Sequence, residues 1–394
     1  MKSKNIKIKH HKYNLYNKKK SKGKQVLGVI LTIVILIALA VVGFGLGRPL
    51  MEYFQGKNNT SSEPGSAWTP SESDSSSDDS SQTTTGTSTS EPTESTPEED
   101  ITPSVLVLPT NIARSAGALG NALKTAKEDG YTGVLITLKT EDGSFLYKTD
   151  IAGIKDTDAV SGVLTAKDIA AAAADNGLTP YAKISTLKDP VSGAYIADTK
   201  FMTSDSYTWL DAAPTNGGKS WLSPFSAKTA EYLADITEEL AGAGFEKIVL
   251  ADTKFPPFLK ADDAFLGHLP IRDEQARLDA LWSVISACDT AAKAKGASIM
   301  LEMSYAEFEG AEKLSTSAEP AKDTAKLNGI EILTNFSADG ANLYASAKAF
   351  AGKMNGMHSG QQYTVTVKRS GLSDTALEDI SRAFTESEII VYYE

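Results

Sequence analysis

The chain has 394 residues, a formal net charge of −11 and a single cysteine, Cys288. One cysteine excludes an intrachain disulfide and a thiolate metal cluster, and the acidic balance argues against nucleic-acid binding, which needs a basic surface. The charge is unevenly spread. Residues 1–56 carry 11 basic groups and 1 acidic group, residues 57–100 carry 1 basic and 10 acidic groups, and the rest has a balance of about −12.

The N-terminal region has the pattern of a membrane anchor. Residues 1–24 contain ten lysines and no acid, and residues 26–47 form a run of 22 residues without any charge. Such a run can cross a hydrocarbon core of about 30 Å at 1.5 Å per residue. We therefore predict a cytoplasmic tail at 1–24 and a transmembrane signal-anchor helix at 25–48, with the C-terminal part extracellular. The alternative is a cleaved signal peptide, because residues 38–40 (Ala-Leu-Ala) resemble a cleavage site.

Residues 49–100 are predicted to be a linker. From residue 56 onward this stretch consists mainly of Ser, Thr, Pro, Glu and Asp. It cannot bury enough apolar surface to offset the entropy lost on ordering, so we expect it to be disordered. Residues 101–394 have the length of one barrel domain.

Eight β-rich apolar runs alternate with amphipathic stretches in this last region. The predicted strands are Ser104–Leu108, Gly133–Lys139, Leu178–Ser185, Lys247–Asp252, Ser298–Met303, Gly329–Asn335, Gln361–Lys368 and Glu388–Tyr393. Parallel strands buried on both faces give such unbroken runs. The alternation predicts an α/β fold, a (β/α)8 TIM-barrel ectodomain behind one transmembrane helix and a disordered Ser/Thr-rich linker. Its chemistry is expected on the loops that follow the strands.

Two carboxylates end adjacent predicted strands. Asp252 closes the fourth strand and Glu302 lies at the end of the fifth. Two carboxyl groups flanking a bond are the usual equipment for glycoside hydrolysis, so this pair is the candidate catalytic site. The alternative is that one or both cap loops or pair with a lysine. The lysines in question are Lys139, Lys183 and Lys254.

The same loops supply candidate substrate-binding residues. Lys139 and Lys183 would orient substrate or stabilise charge, and Lys254 and Tyr305 also follow strand ends. Trp209 and Trp221 lie in a long aromatic-rich loop and offer flat faces for sugar rings, although such a loop also needs apolar side chains for its own packing. We predict no metal site and no cofactor, because His268 and His358 lack metal-ligand spacing.

Several short motifs carry a family resemblance. They are Gly244-Phe245-Glu246-Lys247-Ile248 with Phe255-Pro256 after it, Lys188-Asp189-Pro190, and Trp221-Leu222-Ser223-Pro224-Phe225-Ser226. With these motifs the first half of the domain resembles a glycosyl hydrolase family of bacterial TIM barrels that often follows an N-terminal membrane anchor. The resemblance implies a barrel fold and glycosyl hydrolase activity.

This chain departs from the family pattern at three acids, which are replaced by Thr137, Ser223 and Ala251. Asp252 lies one residue beyond the family position, and in a strand such a shift turns the side chain to the opposite face. Asp252 can serve the site only if the strand ends there and the backbone turns. We therefore expect a domain that binds or cleaves cell-envelope polysaccharide and has lost part of its catalytic equipment. The alternative is a non-catalytic surface module that binds glycan or a protein partner.

Overall fold

The Val-, Ile- and Leu-rich runs form eight strands in the computed structural model. These are β1 (Ser104–Val107), β2 (Gly133–Lys139), β3 (Thr179–Ser185), β4 (Lys247–Ala251), β5 (Ser298–Glu302), β6 (Glu331–Phe336), β7 (Tyr363–Val367) and β8 (Ile390–Tyr393). Each lies where the sequence predicts it. The ends differ by one or two residues, as expected for boundaries read from composition.

The strands close into a barrel in the order of the chain. Each strand pairs in parallel with the next, and β8 pairs in parallel with β1. The register of the closing pair sets Val105 beside Tyr392. The predicted (β/α)8 barrel is therefore confirmed for this region. All eight strand ends that carry chemistry in such a barrel lie on one face.

Helices connect most of the strands. They are α1 (Ala116–Glu128), α2 (Ala166–Asp175), α3 (Ala227–Gly242), α4 (Asp263–Leu266), α5 (Glu274–Ala294), α6 (Leu343–Met357) and α7 (Asp374–Thr385). Five of them begin after a Ser, Thr or Asp whose side-chain oxygen accepts a backbone N–H of the first turn: Ser115, Thr165, Ser226, Asp273 and Ser373. These caps satisfy donors that would otherwise be unpaired at a helix start.

The barrel interior and the space under the helices are filled by separate sets of side chains. Val105, Leu135, Val249, Met300, Leu333 and Tyr392 fill the inside of the barrel. A larger cluster packs the helices against its outer surface. Side chains alternate along a strand, so residues two positions after the interior set also point inward. This periodicity places Thr137 and Glu302 at the upper, C-terminal end of the barrel.

The structure describes residues 104–305, 307, 329–339, 341–357 and 361–394. The predicted tail at 1–24, the membrane segment at 25–48, the linker at 49–100 and His358 lie outside these residues. Within the described ranges, no helix has both the length and the apolar character that crossing a bilayer requires.

Candidate functional site

A cavity of about 570 Å³ opens at the carboxyl ends of the strands. Its charged and polar lining comes from around the barrel: Thr110, Thr137, Lys183, Asp252, Lys254, Glu302, Ser304, Glu307, Thr334, Asn335, Thr366 and Glu394. The volume is within the range of small-molecule sites. The position is the one at which barrels of this kind build their active sites. Of the predicted site residues, Lys183, Asp252, Lys254 and Glu302 line this cavity.

Lys183 and Glu302 form an ion pair in the cavity. Lys183 lies in β3 and Glu302 is the last residue of β5, so the pair spans β4 between them. The Lys183 Nζ and the Glu302 Oε1 are 2.6 Å apart, and each side chain is about one-third exposed. One of the two predicted catalytic acids, Glu302, is therefore paired with a lysine, as the alternative interpretation expects. The amine is placed to orient this carboxylate.

Asp252 reaches the cavity because the backbone turns at the end of β4. The strand ends at Ala251, and Asp252 adopts a φ of +54°. This left-handed conformation is unfavourable for most residues, but Asp is among the few non-glycine residues that adopt it. Ser185 Oγ donates a hydrogen bond of 2.7 Å to Asp252 Oδ2. The turn thus directs the Asp252 side chain into the cavity, although Asp252 lies one residue beyond the position that the resemblance predicts.

Glu307 is a cavity residue that the sequence analysis missed. Lys254 Nζ donates to Glu307 Oε1 at 2.8 Å, and the Ser304 backbone N–H donates to Oε2 at 2.8 Å. Burial alone would raise the pKa of this carboxyl, but the bonds from Lys254 and Ser304 outweigh it and lower the pKa. The Glu307 N–H in turn donates to Ser304 Oγ. The Ser-x-x-Glu spacing of a capping box was the signal that could have identified it.

Lys139 lies inside the protein, away from the cavity. Its side chain has no exposed surface, and its Nζ lies 2.8 Å from Asp189 Oδ2, which is equally buried. It also donates to the Ser185 carbonyl oxygen at 2.7 Å. Gly143 leaves room for this pair, because a Cβ there would lie 2.5 Å from Asp189 Oδ1. The structure therefore gives Lys139 a packing role and keeps it from the surface that a substrate reaches.

Trp209, Trp221 and Tyr305 also lie outside the cavity lining. Trp209 is 5 % exposed, packs on Phe258, and donates from Nε1 to Asp262 Oδ1 at 2.9 Å. Trp221, also 5 % exposed, donates from Nε1 to an Asp211 oxygen at 2.9 Å. The Tyr305 ring packs against Phe350 with the ring centroids 4.7 Å apart. Both tryptophans therefore pack the loop itself, which is the alternative that the sequence left open.

The three positions at which the resemblance predicts an acid lie in different environments. Thr137 lines the cavity, whereas Ala251 is buried next to the turn at Asp252. Ser223 is buried too, and its N–H donates to the Thr199 carbonyl at 2.6 Å. The cavity nevertheless contains carboxylates, because Asp252, Glu302 and Glu307 supply them.

This arrangement can bind a polar ligand through both signs of charge. Asp252 follows β4, Glu302 ends the neighbouring strand β5, and both residues line the same cavity. Among the described residues, no group of three or more His, Cys, Asp or Glu side chains is arranged to hold a metal ion. The chemistry available from these residues is hydrogen bonding, ion pairing and proton transfer.

A family model described as "Putative glycosyl hydrolase domain" matches residues 106–302, half of the chain. These residues include the end of β1 and all of β2 to β5, and they therefore contribute Lys183, Asp252, Lys254 and Glu302 to the cavity. A comparison with curated proteins finds no match.

Three solved structures are similar to this chain at low sequence identity. The glycoside hydrolase domain of PgaB (BpsB) from Bordetella bronchiseptica is 12% identical with a TM-score of 0.50, over 75% of this chain and 94% of that one. The catalytic domain of beta-amylase from Paenibacillus polymyxa is 10% identical with a TM-score of 0.48, over 74% and 91%. A hypothetical protein from Ruminiclostridium thermocellum is 17% identical with a TM-score of 0.40, over 50% and 96%.

Proposed function

Because the chain belongs to the glycosyl hydrolase domain family whose model matches residues 106–302, we propose that it is a membrane-anchored, extracytoplasmic barrel that binds a cell-envelope polysaccharide. The cavity at the strand ends supports this proposal, because its walls contain lysines, carboxylates, threonines and an asparagine. Sugar hydroxyls donate and accept hydrogen bonds, so a lining with both kinds of group suits them. The uncharged segment at 26–47 supports the anchor.

The geometry favours binding over full catalysis. A glycoside hydrolase needs one carboxyl group that is protonated when it meets the leaving oxygen. Lys254 lowers the pKa of Glu307, which suits a ligand or a base and opposes an acid. The Lys183 ammonium lies 2.6 Å from Glu302 Oε1, so this carboxyl oxygen is already occupied by a protein donor. Thr137 stands where the family pattern has an acid.

Hydrolysis is the second candidate function, and one observation favours it. The left-handed turn at Asp252 brings a carboxylate into the cavity beside the strand that ends in Glu302. Backbone strain of this kind costs about 1–3 kcal/mol and tends to persist at functional sites. In this mechanism Asp252 and Glu302 would divide the roles of acid and of nucleophile or base, and Lys183 would hold Glu302 in place.

The experiment is to incubate the full-length chain in detergent with purified wall polysaccharides, and to measure retained glycan and released reducing ends. Retention without new reducing ends supports the binding module. Reducing ends that appear with the wild type and disappear in Asp252→Asn and Glu302→Gln support the hydrolase. If no polysaccharide is retained or cleaved, the proposal is overturned and a protein partner becomes the better account of the barrel.

A further inference from the structure

The cavity carries more negative than positive charge. Its titratable lining consists of two lysines and four carboxylate side chains: Lys183, Lys254, Asp252, Glu302, Glu307 and Glu394. An excess of one sign of charge in a cleft acts strongly on a charged ligand, because the protein walls exclude water and focus the electric field. The cavity should therefore discriminate among sugars by their charge.

Both lysines are already engaged by glutamates. Lys183 Nζ lies 2.6 Å from Glu302, and Lys254 Nζ lies 2.8 Å from Glu307. Each pair is close to neutral as a unit, so its field at a bound sugar is small. An anionic sugar, with a uronate or a phosphate group, would have to compete with these glutamates for the ammonium groups.

Asp252 differs from the two glutamates. Its Oδ2 accepts a hydrogen bond from the Ser185 hydroxyl, which carries no charge. In the part of the chain that the structure describes, no lysine, arginine or histidine forms an ion pair with Asp252. The turn at φ +54° holds its carboxylate at the cavity wall. Among the described residues, Asp252 and Glu394 are thus the two carboxylates of the lining without an ion-pair partner. Of these two, Asp252 is the one that a backbone turn and a hydroxyl group hold in place.

We infer that the glycan bound here carries unacetylated amino groups. The Asp252 carboxylate would accept a hydrogen bond from an ammonium group attached to a carbon of the sugar ring. An ammonium–carboxylate hydrogen bond is short and about twice as strong as a neutral one. An N-acetyl group replaces that cation by a neutral amide and removes the attraction. This inference rests on the proposed function, since it names the class of sugar that the same cavity selects.

The test compares two ligands of equal length, a glucosamine hexamer and its N-acetylated form, by calorimetric titration of the full-length chain in detergent at low salt. We expect the glucosamine hexamer to bind about tenfold more tightly, the effect of one charge-assisted contact. Asp252→Asn should reduce this ratio to about one. Asp156→Asn is the matched control: it changes the net charge equally at an exposed position outside the cavity, and it should keep the ratio.

Three outcomes would overturn the inference. They are equal affinity for the two hexamers, a ratio that Asp156→Asn lowers as much as Asp252→Asn, and no binding of the glucosamine hexamer by a chain that still retains wall polysaccharide. Each of these leaves the proposed function intact. If neither hexamer nor any wall polysaccharide binds, the proposed function fails together with the inference.

Discussion

At the scale of single residues, Asp252 decides what the cavity can do. Alternation along β4 turns Ala251 towards the barrel interior, at the position where the family resemblance predicts an acid. The next side chain would face away from the barrel interior if the strand continued. The strand ends at Ala251, and the positive φ of Asp252 brings its carboxylate to the cavity. The turn at the end of the strand therefore gives the cavity an acid that a continued strand would have directed away from it.

The left-handed conformation at this position gives a testable stability pattern. Asp252→Asn should change the free energy of unfolding by less than about 0.5 kcal/mol, because asparagine adopts this region as readily as aspartate. Asp252→Val should lose about 1–3 kcal/mol, because a β-branched residue is strained there. Urea denaturation followed by circular dichroism measures both. Equal stability of the two variants would contradict the assigned backbone conformation.

The buried pair of Lys139 and Asp189 should be essential to stability. Lys139→Met removes one partner and leaves a carboxylate without its cation in the interior, which typically costs about 3–5 kcal/mol. Lys139→Met combined with Asp189→Asn should recover part of this loss, because the remaining charge is removed. The same denaturation measurement distinguishes the two.

Lys188→Met provides the control for that comparison, because Lys188 pairs with Glu141 at an exposed site. Exposed pairs contribute about 0–1 kcal/mol. If Lys139→Met lowers the free energy of unfolding no more than Lys188→Met does, the buried pair does not make its expected contribution to stability.

At the scale of elements, the eight strands lie on the predicted apolar runs, and six of the helices lie on the amphipathic stretches between them. The short helix α4 (Asp263–Leu266) was not predicted, because one turn has too few residues to show a period. The tryptophans of the long loop after β3 were predicted as possible sugar contacts. Their indole N–H groups are bound to aspartates and their rings are packed, and these long-range contacts are invisible in the order of residues.

A capping box starts helix α2. Thr165 Oγ1 accepts the Asp168 N–H at 3.1 Å, and Asp168 Oδ2 accepts the Thr165 N–H at 3.0 Å. The bonds from Thr165 lower the pKa of Asp168. A carboxyl whose pKa is lowered by folding stabilises the protein above its unfolded pKa. That contribution is lost as the pH falls through the folded value.

Thr165→Ala should therefore reduce the free energy of unfolding by about 1 kcal/mol at neutral pH, the usual cost of losing an N-cap. Thr125→Ala is the control, because Thr125 is exposed within α1 and caps nothing. There alanine should be neutral or slightly stabilising. Denaturation at pH 7 measures both variants, and a cap variant as stable as the control would refute the role assigned to this box.

At the scale of the whole molecule, the barrel could be predicted because each strand and helix carries its own pattern and the topology rules leave few alternatives. The site could be predicted only in part. Lys183 and Glu302 lie in the C-terminal parts of their strands, and Asp252 and Lys254 follow β4, so all four meet at one face. A lysine near the end of a strand can point into the cavity or into the protein interior. A shift in strand register or a buried partner decides between the two, and neither can be read from the sequence. Lys139 has both, since the register of β2 shifts beside it and Asp189 holds it.

The only cysteine offers a probe of global unfolding. Cys288 is completely buried, and burial raises its pKa to about 12. At neutral pH the thiol is therefore both inaccessible and protonated, and neither condition allows fast reaction. Labelling of the full-length chain with a disulfide reagent should be negligible in buffer and reach one thiol per chain in denaturant. Rapid stoichiometric labelling of the folded chain would show that α5 is not packed as described.

Filling the cavity tests directly whether it is the glycan site. Thr137→Trp places a large side chain in the lining, and Thr125→Trp makes the same change on an exposed helix face. Titration of the retained wall polysaccharide should show at least a tenfold loss of affinity for Thr137→Trp and wild-type affinity for Thr125→Trp. Wild-type affinity in a folded Thr137→Trp chain would contradict the assignment of this cavity as the glycan site.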